Sequence, residues 1–375
     1  MEADGARPPP PPQTTTALAK HACAACGAQA EWHPGRQLLI CPFCGTEARF
    51  EVDADGSPIE ELDLLQALRE PADGERGWLE ARRSVLCQSC RAVSVFEAER
   101  VGQLCDFCGS PSLVDYEEAR APIRPRSLLP FRLPEHEARA ALRRWLRRRW
   151  FAPGDLKRRA LIDQVHGVYL PYWTFDAQVH CPWRAQSGTY YYTTQTYRDA
   201  KGRRRTRRVR HVRWRPASGA IDHFFDDVPV AGTTGVDAGL LRAIEPFPRK
   251  ELVPYDTAYL SGFVVEHYQV VLVDAATRSR RHMEQRLRTM CAAAVPGDTY
   301  RALEIEPGYS GETFKLTLAP AWILAYDYGS RRYQVVANGV TGRVAGNYPK
   351  SFWKIAGLAI LLALIVILVV VFGRA

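Results

Sequence analysis

Most of the ten cysteines in this sequence fall into four C-x-x-C pairs, the spacing that lets two thiolates reach one metal ion. The pairs form two sets with identical internal spacing, so the second set repeats the first. The two sets consist of Cys23, Cys26, Cys41 and Cys44, and of Cys87, Cys90, Cys105 and Cys108. A glycine follows the second cysteine in three pairs, and Arg91 takes that place in the remaining pair. Because glycine permits a turn that other residues resist, this pattern predicts two tandem zinc ribbons.

Four thiolates around one ion complete a tetrahedral site and leave no position open for a substrate. We therefore expect two structural Zn²⁺ ions, whose binding is coupled to folding because each ribbon has only a small apolar core. A redox dithiol is the alternative chemistry for a C-x-x-C pair, but two pairs at matched spacing favour zinc. Cys181 and Cys291 stand outside the pairs and are interpreted as thiols without a catalytic role.

Short hairpins are expected to hold the cysteine pairs in place. Turn-forming residues at 32–36 precede an apolar strand at 37–40, and residues 92–96 predict a strand in the second ribbon. Between the ribbons, residues 57–60 resemble the capped start of a helix that ends before Pro71. Ile59, Leu62, Leu65 and Leu68 then make an apolar stripe at helical spacing. We interpret this segment as an amphipathic connector.

The central body changes from helical to strand character along the chain. An amphipathic helix is expected from Pro134, and a second one over 275–294. Strands are predicted at 169–179, 189–197, 203–215, 259–273, 322–328 and 333–337. The predicted fold class is α+β: two small N-terminal four-cysteine zinc ribbons, a mainly antiparallel β-rich central body with one or two helices, and one C-terminal transmembrane helix.

These patterns divide the chain into successive segments. They are a disordered proline-rich lead (1–20), zinc ribbon 1 (21–50), a helical connector (51–84), zinc ribbon 2 (85–120), the α+β central body (121–350) and a transmembrane anchor (355–372).

The formal net charge of +9 is concentrated in two stretches, 139–159 and 198–215. The first lies on the predicted helix, where Arg139, Arg143 and Arg147 share a face. This helix either meets a membrane or nucleic acid, or packs on the body with a solvated arginine face, and we favour packing. The second stretch lies on a hairpin that could contact anionic lipid. Its candidate contacts are Arg203, Arg204, Arg205, Arg207, Arg208 and Arg210.

The chain ends in an apolar segment without a charged residue or a proline, from Ile355 to Phe372. As a helix it would be about 27 Å long, close to the thickness of a bilayer's hydrocarbon core. Phe352, Trp353 and Lys354 precede it, as interfacial aromatic and basic residues do. The N-terminus has no apolar export signal, and paired thiols indicate a reducing compartment. We therefore predict a tail-anchored protein, single-pass in the cytoplasmic membrane with the bulk of the chain in the cytoplasm.

The motifs of the common enzyme classes do not occur in the sequence. It contains neither a phosphate-binding G-x-x-x-x-G-K-[ST] loop, nor H-E-x-x-H, nor G-x-S-x-G. Asp226 and Asp227 are adjacent carboxylates, but neighbouring strand residues point to opposite faces, so the two are not expected to share one site. We predict a protein that is not an enzyme, with no catalytic residues and no organic cofactor.

Several segments resemble bacterial zinc-ribbon, membrane-anchored proteins that are often mislabelled as PriA-like helicases. The resemblance lies in the ribbons and in residues 169–176, 214–219, 225–228, 259–263 and 338–342. Some of those proteins are associated with phage-shock protein A and SPFH membrane-stress systems. The resemblance implies a membrane-anchored adaptor with an SPFH or phage-shock-like protein partner, and it supplies no catalytic residue. The arginine-rich hairpin departs from that pattern.

Besides an enzyme of an unrecognised class, for which the sequence offers no candidate residues, two functions remain open at this point. One is a non-enzymatic membrane-anchored adaptor or scaffold that recruits membrane-stress or membrane-organising proteins to the cytoplasmic membrane face. The alternative is a membrane-tethered nucleic-acid-binding protein, since zinc ribbons and clustered arginines are common in such proteins. The anchor favours the first.

Overall fold

The computed structural model describes residues 21–48, 59–69, 82–97, 104–116, 123–156, 165–198 and 200–372. The predicted lead (1–20) and the predicted capping residues Ser57 and Pro58 lie outside these ranges. Within them the chain is α+β and mainly antiparallel, as the sequence predicts.

The described strands form a small three-stranded sheet and a large thirteen-stranded sheet. They are β1 (Glu31–His33), β2 (Leu38–Ile40), β3 (Glu47–Ala48), β4 (Leu62–Asp63), β5 (Arg82–Cys87), β6 (Val93–Glu97), β7 (Leu113–Asp115), β8 (Ser127–Leu128), β9 (Val165–Arg198), β10 (Arg204–Ala231), β11 (Val253–Pro254), β12 (Val264–Glu266), β13 (Thr299–Ile305), β14 (Gly308–Tyr328), β15 (Arg331–Asn338) and β16 (Val344–Gly346).

The described helices include the two that the sequence predicts in the body and the one that it predicts at the C-terminus. They are α1 (Leu64–Arg69), α2 (Glu135–Arg147), α3 (Ala238–Ile244), α4 (Leu272–Ala294) and α5 (Phe352–Phe372), with 3-10 turns at Arg249–Glu251 and Thr257–Leu260. Both predicted helices of the body are confirmed, because each has apolar residues at helical spacing over several turns.

The connector differs from its prediction. Leu62 is in strand β4, which pairs with β14, so the helix starts only at Leu64. Leu65 and Leu68 are exposed and Leu64 is the buried residue of α1. The predicted apolar stripe was therefore wrong, because pairing with a distant strand replaced the first helical turn.

Strand β9 is the centre of the large sheet. It pairs with β10, β13 and β14 in antiparallel fashion and with β12 in parallel. The predicted hairpin is confirmed but is much longer than the sequence suggests, since β9 and β10 pair from Arg198 and Arg204 at the tip down to Tyr172 and Ala231. The predicted strands at 322–328 and 333–337 are confirmed as parts of β14 and β15.

The strand predicted over 259–273 was wrong in most of its length. The carboxylate of Asp256 accepts a hydrogen bond from the backbone N–H of Ala258 at 2.8 Å and starts a 3-10 turn there. Only Val264–Glu266 is extended, and Leu272 already begins α4. A run of apolar residues identifies burial, and it does not distinguish a strand from a turn that enters a helix.

Helix α2 packs on the body through Ala138, Leu142 and Leu146, which are almost completely buried in a core cluster. Arg143 and Arg147 face the solvent. The structure therefore agrees with the preferred interpretation, a packed helix with a solvated arginine face.

The C-terminal helix α5 spans the segment for which the sequence predicts a membrane anchor. Many of its large apolar side chains, such as Ile360 and Val366, are exposed over more than half of their surface. Among the residues that the structure describes, no helix meets the length and apolarity that a membrane crossing requires. The helix is confirmed, and its role as an anchor stays a prediction.

Candidate metal centres

The four cysteines of ribbon 1 converge on one point, with all four Sγ atoms within 4.8 Å of one another. Cys23 Sγ lies 3.5 Å from Cys44 Sγ, and Cys26 Sγ lies 3.5 Å from Cys41 Sγ. In a tetrahedral zinc site with Zn–S bonds of about 2.3 Å, neighbouring sulfurs are about 3.8 Å apart. The spacing therefore fits a single ion of this size with all four thiolates as ligands.

Ribbon 2 repeats this arrangement in a more buried setting, again with the four Sγ atoms within 4.8 Å. Cys87 and Cys108 approach to 3.6 Å, as do Cys90 and Cys105. Three of these residues are buried and Cys90 is half-buried, whereas Cys26 and Cys44 of ribbon 1 are exposed. The structure thus brings together both predicted tetra-cysteine clusters, each of which could hold a metal ion.

A tight backbone turn aims each pair of sulfurs at the cluster. In every pair the residue after the second cysteine donates its N–H to the carbonyl of the first, for example Gly27 to Cys23 at 2.8 Å. Gly27, Gly45 and Gly109 have φ angles between 70° and 74° at these positions, and Arg91 has φ 62°. The turn therefore needs the left-handed conformation, and Arg91 adopts it at an energetic cost of about 1 kcal/mol or more.

Replacing Arg91 with glycine is expected to stabilise the protein by about 1 kcal/mol, because glycine removes the steric cost of positive φ. Urea unfolding of the zinc-loaded protein measures the change. The matched control is Gly109→Ala, whose added Cβ meets no atom within 4 Å, so that only the conformational penalty acts. The control is expected to lose about 1 kcal/mol. If R91G were less stable than the parent, the side chain of Arg91 would have a stabilising role that outweighs the strain.

The electrostatics of the clusters favour a bound cation. A hydrogen bond from the Thr46 hydroxyl, 3.1 Å away, lowers the pKa of Cys44 to about 6. In ribbon 2 the neighbouring Cys108 raises the pKa of Cys105 far above its ordinary value. Four sulfurs this close do not all carry a negative charge by themselves, and a divalent ion is the simplest compensation.

Ribbon 2 is part of the body's large sheet, which the sequence did not predict. Strand β6 pairs with β12, which in turn pairs with the central strand β9. Cys87, Cys105 and Phe107 are buried in the same core cluster as Leu170 and Ile323 of the body. The second tetra-cysteine cluster therefore lies in a segment that extends the main sheet at one end and shares the core of the body.

Ribbon 1 keeps its own sheet and attaches to the body through side-chain packing and hydrogen bonds. Trp32 is buried against the ring of Tyr259, with the ring centroids 4.6 Å apart. The indole N–H of Trp32 donates to the Phe131 carbonyl at 3.3 Å, and the Ser261 hydroxyl donates to the Ala30 carbonyl at 2.6 Å. Ribbon 1 is thus docked on the body without sharing its sheet.

A buried carboxyl group lies on β12, beside the strand that ribbon 2 contributes. Glu266 is 1% exposed, and its Oε1 accepts a hydrogen bond from the Thr233 hydroxyl at 2.7 Å. Its Oε2 has no hydrogen-bond partner among the described residues. Burial raises the pKa of Glu266 to about 8, so the group is mainly a neutral acid at pH 7.

Replacing Glu266 with glutamine should therefore have a pH-dependent effect. The pKa of Glu266 is higher in the folded protein than in the unfolded chain. The protonated acid therefore contributes to the free energy of unfolding at low pH, and this contribution is lost as the pH rises towards 8. Relative to the parent, E266Q is expected to gain about 2 kcal/mol between pH 6 and pH 8 and little above that. Urea unfolding over pH 6–9 measures this gain. The exposed Glu304→Gln serves as the control and should give a flat difference; a flat difference for E266Q as well would refute the raised pKa.

A cluster of charged side chains, which sequence analysis did not predict, is assembled from four separate segments of the chain. The carboxylates of Glu61, Asp176 and Asp227 lie within 4.8 Å of one another. Lys315 is 5% exposed, and its Nζ lies 2.7 Å from both Glu61 Oε1 and Asp227 Oδ1. The lysine ammonium thus supplies a positive charge beside two of the three carboxylates. Burial raises the pKa of Asp176 to about 6.

The adjacent carboxylates Asp226 and Asp227 have separate partners, in agreement with the prediction. Asp226 is exposed beside Arg249, whereas Asp227 is buried beside Lys315. A bulge in β10 and a φ of 48° at Asp227 turn the second carboxylate inwards. The signal that could have revealed the cluster is Lys315 itself, a charged residue within the apolar sequence of β14.

The two remaining cysteines meet across the sheet and helix α4. Cys181 Sγ and Cys291 Sγ are 3.8 Å apart, and both residues are completely buried. Burial raises the pKa of Cys181 to about 11, so this thiol remains protonated at neutral pH. Both thiols therefore pack in the interior of the protein.

Comparison with known proteins gives one distant relative. The chain is 24% identical over 237 residues to the uncharacterized protein YdjG of Bacillus subtilis strain 168. The match covers 62% of this chain and 66% of the Bacillus protein, just under two thirds of that protein's length. No family model matches the chain, and no solved structure matches it significantly. The relative's name states no function.

Proposed function

We propose that this protein is a non-enzymatic adaptor that is anchored in the cytoplasmic membrane by residues 355–372 and carries two structural zinc ions. Its body would lie in the cytoplasm and recruit a membrane-stress or membrane-organising protein of the SPFH or phage-shock type. The partner class rests on the resemblance of the sequence to zinc-ribbon membrane proteins. The anchor rests on the uncharged sequence from Ile355 to Phe372.

The observation that carries the proposal is a collar of exposed aromatic rings around the base of α5. Trp150, Phe352 and Trp353 are each more than 70% exposed. Lys354 Nζ donates hydrogen bonds to the carbonyls of Trp150 at 3.2 Å and of Ala152 at 2.6 Å, which brings Trp150 close to the start of α5. Exposed tryptophans beside a basic residue at the start of an apolar helix are typical of a membrane interface.

The base of α5 is also fixed to the body. The N–H of Ser351 donates to the Phe151 carbonyl at 2.7 Å, and this segment follows directly on α2. Because the base of this helix is fixed to the body, anchoring the helix in a membrane would hold the body, and a protein bound to it, at the membrane surface. The closed tetra-cysteine clusters support a structural role for the ribbons, because four protein ligands leave no site for a substrate.

Membrane fractionation of native cells tests the anchor. The full-length protein is expected to remain with membranes through a carbonate wash and to be released only by detergent. A chain that ends at Lys354 should move to the soluble fraction. The matched control replaces residues 355–372 with an unrelated apolar span and should stay in the membrane fraction. If the truncated chain remained membrane-bound, the anchor would be wrong.

Affinity purification from detergent-solubilised membranes tests the adaptor. An SPFH or phage-shock-like protein is expected to copurify with the full-length chain after nuclease treatment, and also with the chain ending at Lys354. Recovery from neither chain would overturn the adaptor proposal.

A further inference from the structure

The outer part of the β9–β10 hairpin extends beyond the rest of the sheet. Strand β13 pairs with β9 only as far as Gly188, and β14 pairs with it only as far as His180. From Thr189 outwards, β9 pairs with β10 alone, up to the pair of Arg198 with Arg204. At about 3.3 Å per residue, this two-stranded segment is about 30 Å long. We call residues 189–198 and 204–213 the arginine ribbon.

Both faces of the arginine ribbon carry arginines, because neighbouring strand residues point to opposite sides. The continuous register of β10 puts Arg204, Arg208 and Arg210 on one face and Arg205, Arg207 and Arg213 on the other. All six are exposed. Asp199 is the sole acidic residue between Ser187 and Arg215 in the sequence. The ribbon is therefore strongly cationic on both sides.

Tyrosine rings contact four of these six guanidinium groups, two on each face. On the first face, Arg208 lies 4.7 Å from the ring centre of Tyr192, and Arg210 lies 4.5 Å from that of Tyr190.

On the second face, Arg207 lies 5.7 Å from the ring centre of Tyr197, and Arg213 lies 5.6 Å from that of Tyr191. Cation–π contacts restrict long side chains that would otherwise move freely, so less entropy is lost when they bind an anion.

We propose that the arginine ribbon binds double-stranded DNA by entering its major groove, without dependence on base sequence. The major groove admits a two-stranded β-ribbon and has phosphates along both walls. A ribbon of about 30 Å matches roughly one turn of the duplex, about 34 Å. This surface is separate from the aromatic collar, so the inference does not rest on the proposed membrane function.

The two-sided charge favours DNA over a lipid surface. A flat bilayer meets only one face of a ribbon and leaves the arginines of the other face in water. A groove contacts both faces at once, so all six guanidinium groups approach phosphates. Double-stranded RNA fits less well, because its major groove is deep and narrow.

The test is fluorescence anisotropy of a labelled 30-base-pair DNA duplex with the full-length protein in neutral detergent micelles, at several salt concentrations. Two variants each replace the three β10 arginines of one face: R204Q/R208Q/R210Q and R205Q/R207Q/R213Q. The matched control removes the same charge from helix α2, as R143Q/R144Q/R147Q. Zinc content and thermal unfolding show that each variant is folded.

Each of the two arginine-ribbon variants is expected to bind the duplex at least tenfold more weakly than the parent at 100 mM salt. Each should also reduce the slope of log K against log salt by about 2.7, since each lost phosphate contact contributes about 0.9. The control variant should change affinity less than twofold. An RNA duplex of the same sequence should bind more weakly than the DNA.

Several results would overturn the proposal. These are no binding of the parent to the duplex, an effect of only one ribbon variant, an equal effect of the control, or equal binding of RNA. Displacement of the DNA by phosphatidylglycerol vesicles, together with sensitivity to one face only, would assign the ribbon to lipid instead.

Discussion

Replacing Cys105 with serine is expected to prevent the whole body from folding, whereas replacing Cys26 should leave the body folded with one metal ion. Structural zinc in a ribbon contributes about 10–16 kcal/mol of binding free energy, as much as the entire stability of a typical domain. In ribbon 2 that free energy supports strands of the main sheet and a shared core. In ribbon 1 it supports a separate small sheet.

Circular dichroism, solubility and zinc content measure this difference. C105S is expected to be insoluble or to lack a cooperative thermal transition. C26S should keep a transition within a few degrees of the parent and contain one zinc per chain. The account would be contradicted if both variants failed to the same extent, or if C105S unfolded cooperatively at the temperature of the parent.

Replacing Lys315 with methionine is expected to cost about 3–5 kcal/mol of stability, because it leaves buried carboxylates without a counter-charge. Its Nζ lies 2.7 Å from both Glu61 and Asp227, and Asp176 is in the same cluster. Methionine retains most of the apolar stem, so the loss reports on charge more than on packing. Urea unfolding at pH 7.5 measures the effect.

Two further variants separate charge from packing at this site. Lys250 is exposed, and Lys250→Met is expected to change stability by less than about 0.5 kcal/mol. Adding Asp227→Asn to K315M should recover part of the loss, since it removes one unpaired charge, and asparagine tolerates the positive φ of that position. A double variant no more stable than K315M would show that packing, and not charge, causes the loss.

Features that depend on local chemistry could be predicted from the sequence. The C-x-x-C spacing identified both tetra-cysteine clusters, because each pair needs only one tight turn. The periodic apolar positions identified α2 and α4, because the spacing that marks one face of a helix is contained within a single segment of the sequence. Turn residues near Gly202 placed the tip of the β9–β10 hairpin.

Features that depend on distant pairing could not be predicted. Ribbon 2 joins the body because β6 pairs with β12, and nothing near residue 94 indicates a partner at Glu266. The cluster around Lys315 draws carboxylates from three other segments, which only the completed fold brings together. For the same reason, the sequence could not show where the two-stranded part of the hairpin begins.

The metal content of the purified full-length protein tests the central claim most directly, namely that two tetrathiolate zinc sites make the ribbons structural. Elemental analysis should give two zinc ions per chain. Replacement by Co²⁺ should give the visible absorption of tetrahedral cobalt with four thiolate ligands, unchanged by added azide. Fewer than two metal ions, an iron–sulfur spectrum, or a cobalt spectrum that shifts with azide would contradict the account, because it would mean a redox centre or an open coordination position.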